Sequence, residues 1–196
     1  ITLPLPFSAG YIAQLRKIMR PYKVSLITGI PIQSGNSFNY YNAMLLLNKS
    51  GVDVYYKRYL VPFGEYLPLE NWLKGIIGFF NLPMSDFISG NKEKVIRLEN
   101  QPLSVAPFVC YEIAYPNAIL SVAAQSNLMV VLSNDTWFGD SLGPYQHLQI
   151  AQFAALATGR YTLVGTNDGI TAILDPFGKI VAQAPRFQQA VLQGKV

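Results

Sequence analysis

The sequence predicts an α/β fold in which helices cover a sheet, and three observations point that way. Strand-like and helix-like segments alternate through the second half of the chain. Several strand candidates, such as "LMVVLSN", are continuously apolar rather than alternating, the pattern of strands buried on both faces. Polar clusters ("CYE", "SNDTWFG" and "TNDG") stand where strands finish, and loops at one sheet edge are where such folds carry chemistry.

Taken in order, "YIAQLRKIM" (residues 11–19) reads as a short amphipathic helix ended by Pro21. "KVSLITGIPI" (23–32) reads as an apolar strand broken by Gly29 and Pro31. "FNYYNAMLLLN" and "DVYYKRYLVPFG" flank "KSG" and predict an antiparallel pair turning at Ser50-Gly51. "LENWLKGIIGFF" (69–80) is a helix candidate with Trp72, Ile76, Phe79 and Phe80 on one face. "VIRLENQPLSVAPFVCYEI" predicts two strands joined at Glu99-Asn100. Residues 117–125 read as helix, "LMVVLSN" as a buried strand, and 144–157 as a helix with proline in its first turn. "YTLVGTN" and "TAILDPFGKIV" close the chain as strands, the latter turning at Asp175-Pro176-Phe177-Gly178.

At 196 residues, with no internal repeat or low-complexity linker, the chain suits a single domain over 1–196. It is 51% apolar and only 13% charged, which implies a large core, a lipid-facing surface, or both. The net charge is +4, but the Lys and Arg are scattered in runs no longer than a pair, so a nucleic-acid strip lacks support. A mild attraction to anionic headgroups is compatible with that charge. One cysteine precludes an internal disulfide, and one cysteine with one histidine leaves little for a zinc site. No metal or cofactor is expected. The longest uncharged stretch, 113–134, holds Pro116, Asn117, Gln125, Ser126 and Asn127, so it reads as helix, turn and strand rather than a membrane span. No signal peptide is visible, the chain starts at Ile1 without methionine, and both ends are expected to be cut.

Cys110 closes the apolar run "VAPFV" and precedes two polar residues. A lone thiol is most often a buried small hydrophobe. At a strand-to-helix elbow, however, a nucleophile leaves the next backbone N–H, that of Tyr111, free for a developing oxyanion. Such a thiol needs a base or cation nearby. His147 is one candidate base, although a lone histidine early in a helix is more often structural. Lys57 sits among aromatics in "VYYKRYLVPFGEY", where strand alternation points it away from Tyr56 and Arg58. It is either a snorkelling surface lysine or a buried one that needs a carboxylate. Glu65 and Glu112 are the carboxylates that could pair with it or act as bases. Asn134, Asp135 and Trp137 could cap a helix or line a pocket.

Together, "YYKRYLVPFGEYLPLE", "FVCYEIAYP" and "LSNDTWFGDSLGPYQHLQIAQFAALATGRYTLVGTNDGITAILDPFGKIV" resemble the nitrilase-like domain of the apolipoprotein N-acyltransferases, in order over nearly the whole chain. The resemblance implies a nitrilase-like αββα sandwich of two mixed sheets covered by helices, truncated at its N-terminus. It implies a domain facing the periplasm on a bacterial inner-membrane protein, expected as a monomer. The implied reaction moves a fatty acyl chain from a phospholipid, through a cysteine thioester, to the N-terminal cysteine amine of a diacylglyceryl apolipoprotein. Cys110 would be the nucleophile, Lys57 and the Tyr111 N–H the oxyanion stabilisers, and Glu65 and Glu112 supporting carboxylates. Asn134, Trp137, Tyr145 and His147 would contact substrate, and the apolar segment from Trp72 to Phe87 would be an arm over the site that dips towards lipid.

One departure matters. The general-base glutamate of the family belongs to a "PE" motif, and this chain has no acidic residue before Asp53. Either the chain begins just past that glutamate, or Leu5 replaces it. The first alternative is the expectation, and with it inactivity of the isolated chain. A soluble carbon–nitrogen hydrolase and a non-catalytic nitrilase-like binding domain are the competing readings.

Overall fold

Among the described residues nine strands divide into two sheets, and the division decides which residues face each other. The structure is a computed structural model that describes residues 4–35, 39–49, 51–66, 68, 87–99 and 101–196. The helix expected at 69–80, nearly all of the expected arm at 72–87, and the turn residues Ser50 and Asn100 lie outside the described residues. Strands β1 (Leu26–Gln33), β2 (Tyr40–Leu47) and β3 (Val52–Tyr56) form a three-stranded sheet in that order. Strands β4 (Ile96–Arg97), β5 (Ser104–Val109), β6 (Leu128–Asn134), β7 (Tyr161–Asn167), β8 (Ala172–Leu174) and β9 (Ile180–Gln183) form the second, also in sequence order.

Strand parity builds the layers. In β2, Ala43, Leu45 and Leu47 face helix α1 (Leu5–Met19), while Met44 and Leu46 face the other sheet. In β6, Leu128, Val130 and Leu132 point between the sheets, and Met129 and Val131 point towards helices α2 (Pro116–Ala123) and α3 (Gly143–Thr158). Two-sided burial explains why these strands are continuously apolar. The result is a helix–sheet–sheet–helix sandwich, as expected. The six-stranded sheet is mixed, with β5, β6 and β7 parallel and the rest antiparallel. The three-stranded sheet is antiparallel among the described residues, with an isolated parallel bridge from Tyr40 to Phe87 beside it.

Two boundaries differ from the sequence reading. Helix α1 starts at Leu5 rather than Tyr11, because Pro6 falls in its first turn, where a missing N–H costs nothing. Leu5, Ile12 and Met19, two turns apart, then share one sheet-facing stripe. Strand β1 runs unbroken through Gly29 and Pro31, which pair with Met44 and Asn42. Among the described residues it is an edge strand, where a proline is tolerated. Helix α3 ends at Gly159, whose φ of +62° supplies the left-handed cap. The parallel β5–β6–β7 core aligns its C-terminal ends, bringing Val109, Asn134 and Asn167 to one edge. Among the described residues no helix is long and apolar enough to cross a membrane.

Candidate active site

Cys110 is the first residue past β5 and opens a 3-10 turn over Cys110–Ala114. Its φ is +54°, a left-handed conformation that for a non-glycine residue costs about 1–3 kcal/mol unless neighbours hold it. The thiol is half-buried. The Tyr111 amide lies at the start of the turn, ahead of the first intrahelical bond, so the turn offers it no acceptor. The expected elbow is therefore present, with a nucleophile type and a spare N–H on adjacent residues.

Glu112 ties this elbow to the end of β3. One carboxylate oxygen accepts from Val109 N at 2.8 Å. The other accepts from Arg58 N at 2.6 Å, Tyr59 N at 3.2 Å and the Tyr55 hydroxyl at 2.9 Å. Val109 immediately precedes Cys110 and Arg58 immediately follows Lys57, so this carboxylate brings the two segments together. Burial pushes the Glu112 pKa up, opposed by the hydrogen bonds from Val109, Arg58, Tyr55 and Tyr59. Burial, with the neighbouring Glu112 charge, likewise pushes the Tyr55 hydroxyl well up.

Lys57 is 1% exposed, so the surface alternative is excluded. Its ammonium donates to both oxygens of Glu65, at 2.8 and 2.7 Å. Glu65 is thus the carboxylate that pairs with Lys57, while Glu112 holds the backbone. Glu65 is itself fixed by Val61 N at 2.7 Å and by the Asn42 amide. The rigid "VPFG" turn explains this geometry, since Glu65 N bonds back to Val61 O. An ammonium has three protons and Glu65 takes two, leaving one with no acceptor among the described residues.

His147 and Asp135 meet the elbow from helix α3 and the end of β6. His147 reaches Cys110 through its carbonyl, not its thiol, with Nε2 3.2 Å from that oxygen. Its Nδ1 is 3.2 and 3.3 Å from the Asp135 oxygens. Both ring nitrogens are engaged within the protein, and neither contacts the thiol. Asn134 also turns out to be a cap: its oxygen accepts from the Thr136 hydroxyl at 2.8 Å and from Thr136 N at 3.4 Å. Trp137 (68% exposed) and Tyr145 stand open to solvent, together with Phe138 and Leu142. Arg186 braces that rim, stacking over Tyr145 and Phe187 and donating to Gly139 O at 3.0 Å. Tyr111, Tyr115 and Tyr59 form a second aromatic group, Tyr115 stacked on Tyr59 at 4.5 Å and edge-on to Tyr111 at 5.6 Å. Leu5 packs with the α1 cluster on the outer face of the three-stranded sheet, not in the layer that carries Cys110.

Two members of the site carry too little sequence signal to be singled out, and the partner of a third is hidden by distance along the chain. Asn42 is one polar residue in an apolar strand and reaches Glu65 only through sheet pairing. Arg186 lies in an undistinguished C-terminal stretch. Asp135 sits inside the conspicuous "SNDTWFG", but its partner His147 is a helix away. Among the described residues no group of acidic, histidine and cysteine side chains could hold a metal.

The carbon-nitrogen hydrolase family matches residues 7–196. Curated relatives include an apolipoprotein N-acyltransferase of Pseudomonas paraeruginosa, 45% identical over 193 residues, covering 96% of this chain and 37% of that protein. The apolipoprotein N-acyltransferase of Azotobacter vinelandii is 46% identical over 193 residues, covering 97% and 37%. That of Coxiella burnetii is 39% identical over 186 residues, covering 95% and 38%. The chain therefore spans little more than a third of the relatives it matches. Among solved structures, Saccharomyces cerevisiae Nit3, a member of branch 10 of the nitrilase superfamily, superposes with a TM-score of 0.67 at 19% identity, covering 92% of this chain and 62% of its own. The sandwich, the thiol elbow and the buried lysine–glutamate pair are thus seated in a sequence that belongs, over nearly all its length, to the carbon-nitrogen hydrolase family.

Proposed function

We propose that this chain is the acyl-transferring domain of a membrane lipoprotein N-acyltransferase, facing the periplasm and working as a monomer. The observation that carries the reading is the bridge made by Glu112, which sets the Cys110 elbow beside the segment bearing the Lys57–Glu65 pair. The Cys110 thiolate attacks the ester carbonyl of a phospholipid, forming a C–S bond. The tetrahedral oxyanion is met by the Tyr111 N–H and the remaining Lys57 proton. Collapse breaks the C–O bond, and the lysophospholipid alkoxide leaves with the proton taken from the thiol. The N-terminal amine of a diacylglyceryl apolipoprotein then attacks the thioester, an amide forms, and the thiolate is returned as the base takes the amine proton. A thiol suits this sequence because it both accepts an acyl group and releases it to an amine. Trp137 and Tyr145 serve the acyl chains from the exposed rim.

Neither supporting carboxylate is free to be the base, since Glu65 and Glu112 are already engaged by their donors. The base is the family's Pro-Glu glutamate, absent from this sequence, and the chain as given forms no acyl-enzyme by itself. Incubation with a fluorescent phospholipid and mass spectrometry of the Cys110 peptide tests this. The full-length gene product should carry the thioester and the present chain should not; a thioester on the present chain sinks the missing-base reading. The family match alone also suits a soluble hydrolase that cuts a carbon–nitrogen bond with water. Release of free fatty acid or ammonia, without acylated peptide, identifies that reaction instead.

A further inference from the structure

The mechanism above leaves two buried ionisable groups without a task. Asp135 and His147 are 2% and 8% exposed and touch the site only through the Cys110 carbonyl. A carbonyl can only accept, so Nε2 must carry a proton and donate it. Nδ1 lies 3.2 Å from the Asp135 carboxylate, which holds the ring in place. Asp135 is fixed in turn, accepting from the Ser133 hydroxyl at 2.6 Å. It also lies so close against Gly169 that any side chain there would strike its carboxylate. The linkage Ser133–Asp135–His147–Cys110 carbonyl therefore runs without slack from the end of β6, through α3, to the elbow.

A peptide unit is planar and trans, so the Cys110 carbonyl and the Tyr111 N–H lie in one plane and point in opposite directions. Whatever fixes the carbonyl oxygen also fixes the direction of that N–H. We propose that His147, held by Asp135, is a positioning residue for the oxyanion site: by donating to the Cys110 carbonyl it aims and polarises the Tyr111 N–H. It acts on the acceptor of developing charge, not on the thiol. The proposal rests on the acyl-transfer reading, in which Tyr111 N–H meets the oxyanion.

Acylation and alkylation of the same sulfur separate this role from a general structural one. Acylation develops an oxyanion, whereas displacement of iodide from iodoacetamide does not. In the full-length gene product, His147→Leu should slow Cys110 acylation by p-nitrophenyl ester by ~100-fold, approaching the loss of one oxyanion donor, with alkylation almost unchanged. His147→Gln, which can place an N–H near the Nε2 position, should restore most of the acylation rate. Asp135→Asn should fall between them and guards against a His147→Leu protein that does not fold. Parallel losses of acylation and alkylation in all three variants overturn the proposal, as does an unchanged acylation rate in His147→Leu. A wild type acylated by the p-nitrophenyl ester but not by phospholipid removes only the substrate reading, and the His147 comparison still decides. A wild type acylated by neither overturns both.

Discussion

The two sides of Cys110 are built from opposite materials. Behind it, Lys57, Glu65, Glu112, Asp135 and His147 are all buried, and their carboxylate oxygens and ring nitrogens are engaged by protein partners. In front, Trp137, Phe138, Leu142 and Tyr145 leave much of their surface to solvent. Burying charge is expensive, so such a network persists only where each member is held by its neighbours. Exposed aromatic and aliphatic surface is cheap to keep only if something apolar covers it in use. The contrast teaches that the polar half fixes geometry from within the protein, while the apolar half, in the proposed function, is where substrate would pack. Substitutions should therefore divide into those that unfold the protein and those that spare it.

The largest effect belongs to the buried pair. Lys57→Met strands the Glu65 carboxylate and should cost about 3–5 kcal/mol of folding free energy in urea titration. The double variant Lys57→Met/Glu65→Leu should cost less than Lys57→Met alone, because no charge is left unpaired. A double variant worse than the single would mean that the pair is not the structural unit drawn here.

Glu112→Gln comes next. All four partners of Glu112 are donors, so the amide presents an N–H to a donor whichever way it turns, at about 1–3 kcal/mol. The pH dependence has a definite sign. Because the folded state raises the Glu112 pKa, the folded protein binds this proton more readily than the unfolded chain. Its contribution is present at low pH and lost as pH rises through the folded value, above the ordinary carboxylate range. The stability difference between wild type and Glu112→Gln should therefore change over that window and be flat beyond it. A constant difference at every pH would show that burial does not perturb this group.

Smaller effects sharpen the contrast. Cys110→Gly removes the side-chain penalty at φ +54° and should stabilise the fold by about 1 kcal/mol while abolishing acylation. Trp137→Ala and Leu142→Ala should leave stability within about 0.5 kcal/mol of wild type, with any loss confined to turnover of long-chain substrate. A rim variant that lowered the melting temperature as much as Glu112→Gln would dissolve the distinction between the two sides.

Much of the layer order was legible in the strands, since an apolar run such as "LMVVLSN" must be covered on both faces and parity then sorts its residues between two cores. The elbow at Cys110 was legible as a strand end followed by polar residues, and the Asp175–Gly178 turn as a proline–glycine pair. The helix start at Leu5 and the continuity of β1 were not. Proline and glycine there weaken the local pattern, and an edge strand and a first helical turn happen to tolerate them. Asn134 and His147 have structural partners that their motif does not announce: one caps a turn and the other meets a carbonyl. A motif names residues that stay together without saying which way they point.

The sequence by itself determined the kinds of chemistry available: one thiol, one lysine among aromatics, and no acidic residue before Asp53. It also determined that helices cover apolar strands, because hydrophobic periodicity is a local property that each segment carries alone; the two-sheet sandwich was implied by the family resemblance. Only the tertiary structure decided that Glu65 rather than Glu112 neutralises Lys57, that Glu112 joins Val109 to Arg58 although 50 residues lie between them, and that His147 meets the carbonyl and not the sulfur. Those choices depend on distances between segments remote in sequence, set by β pairing and helix packing, and no single segment contains them.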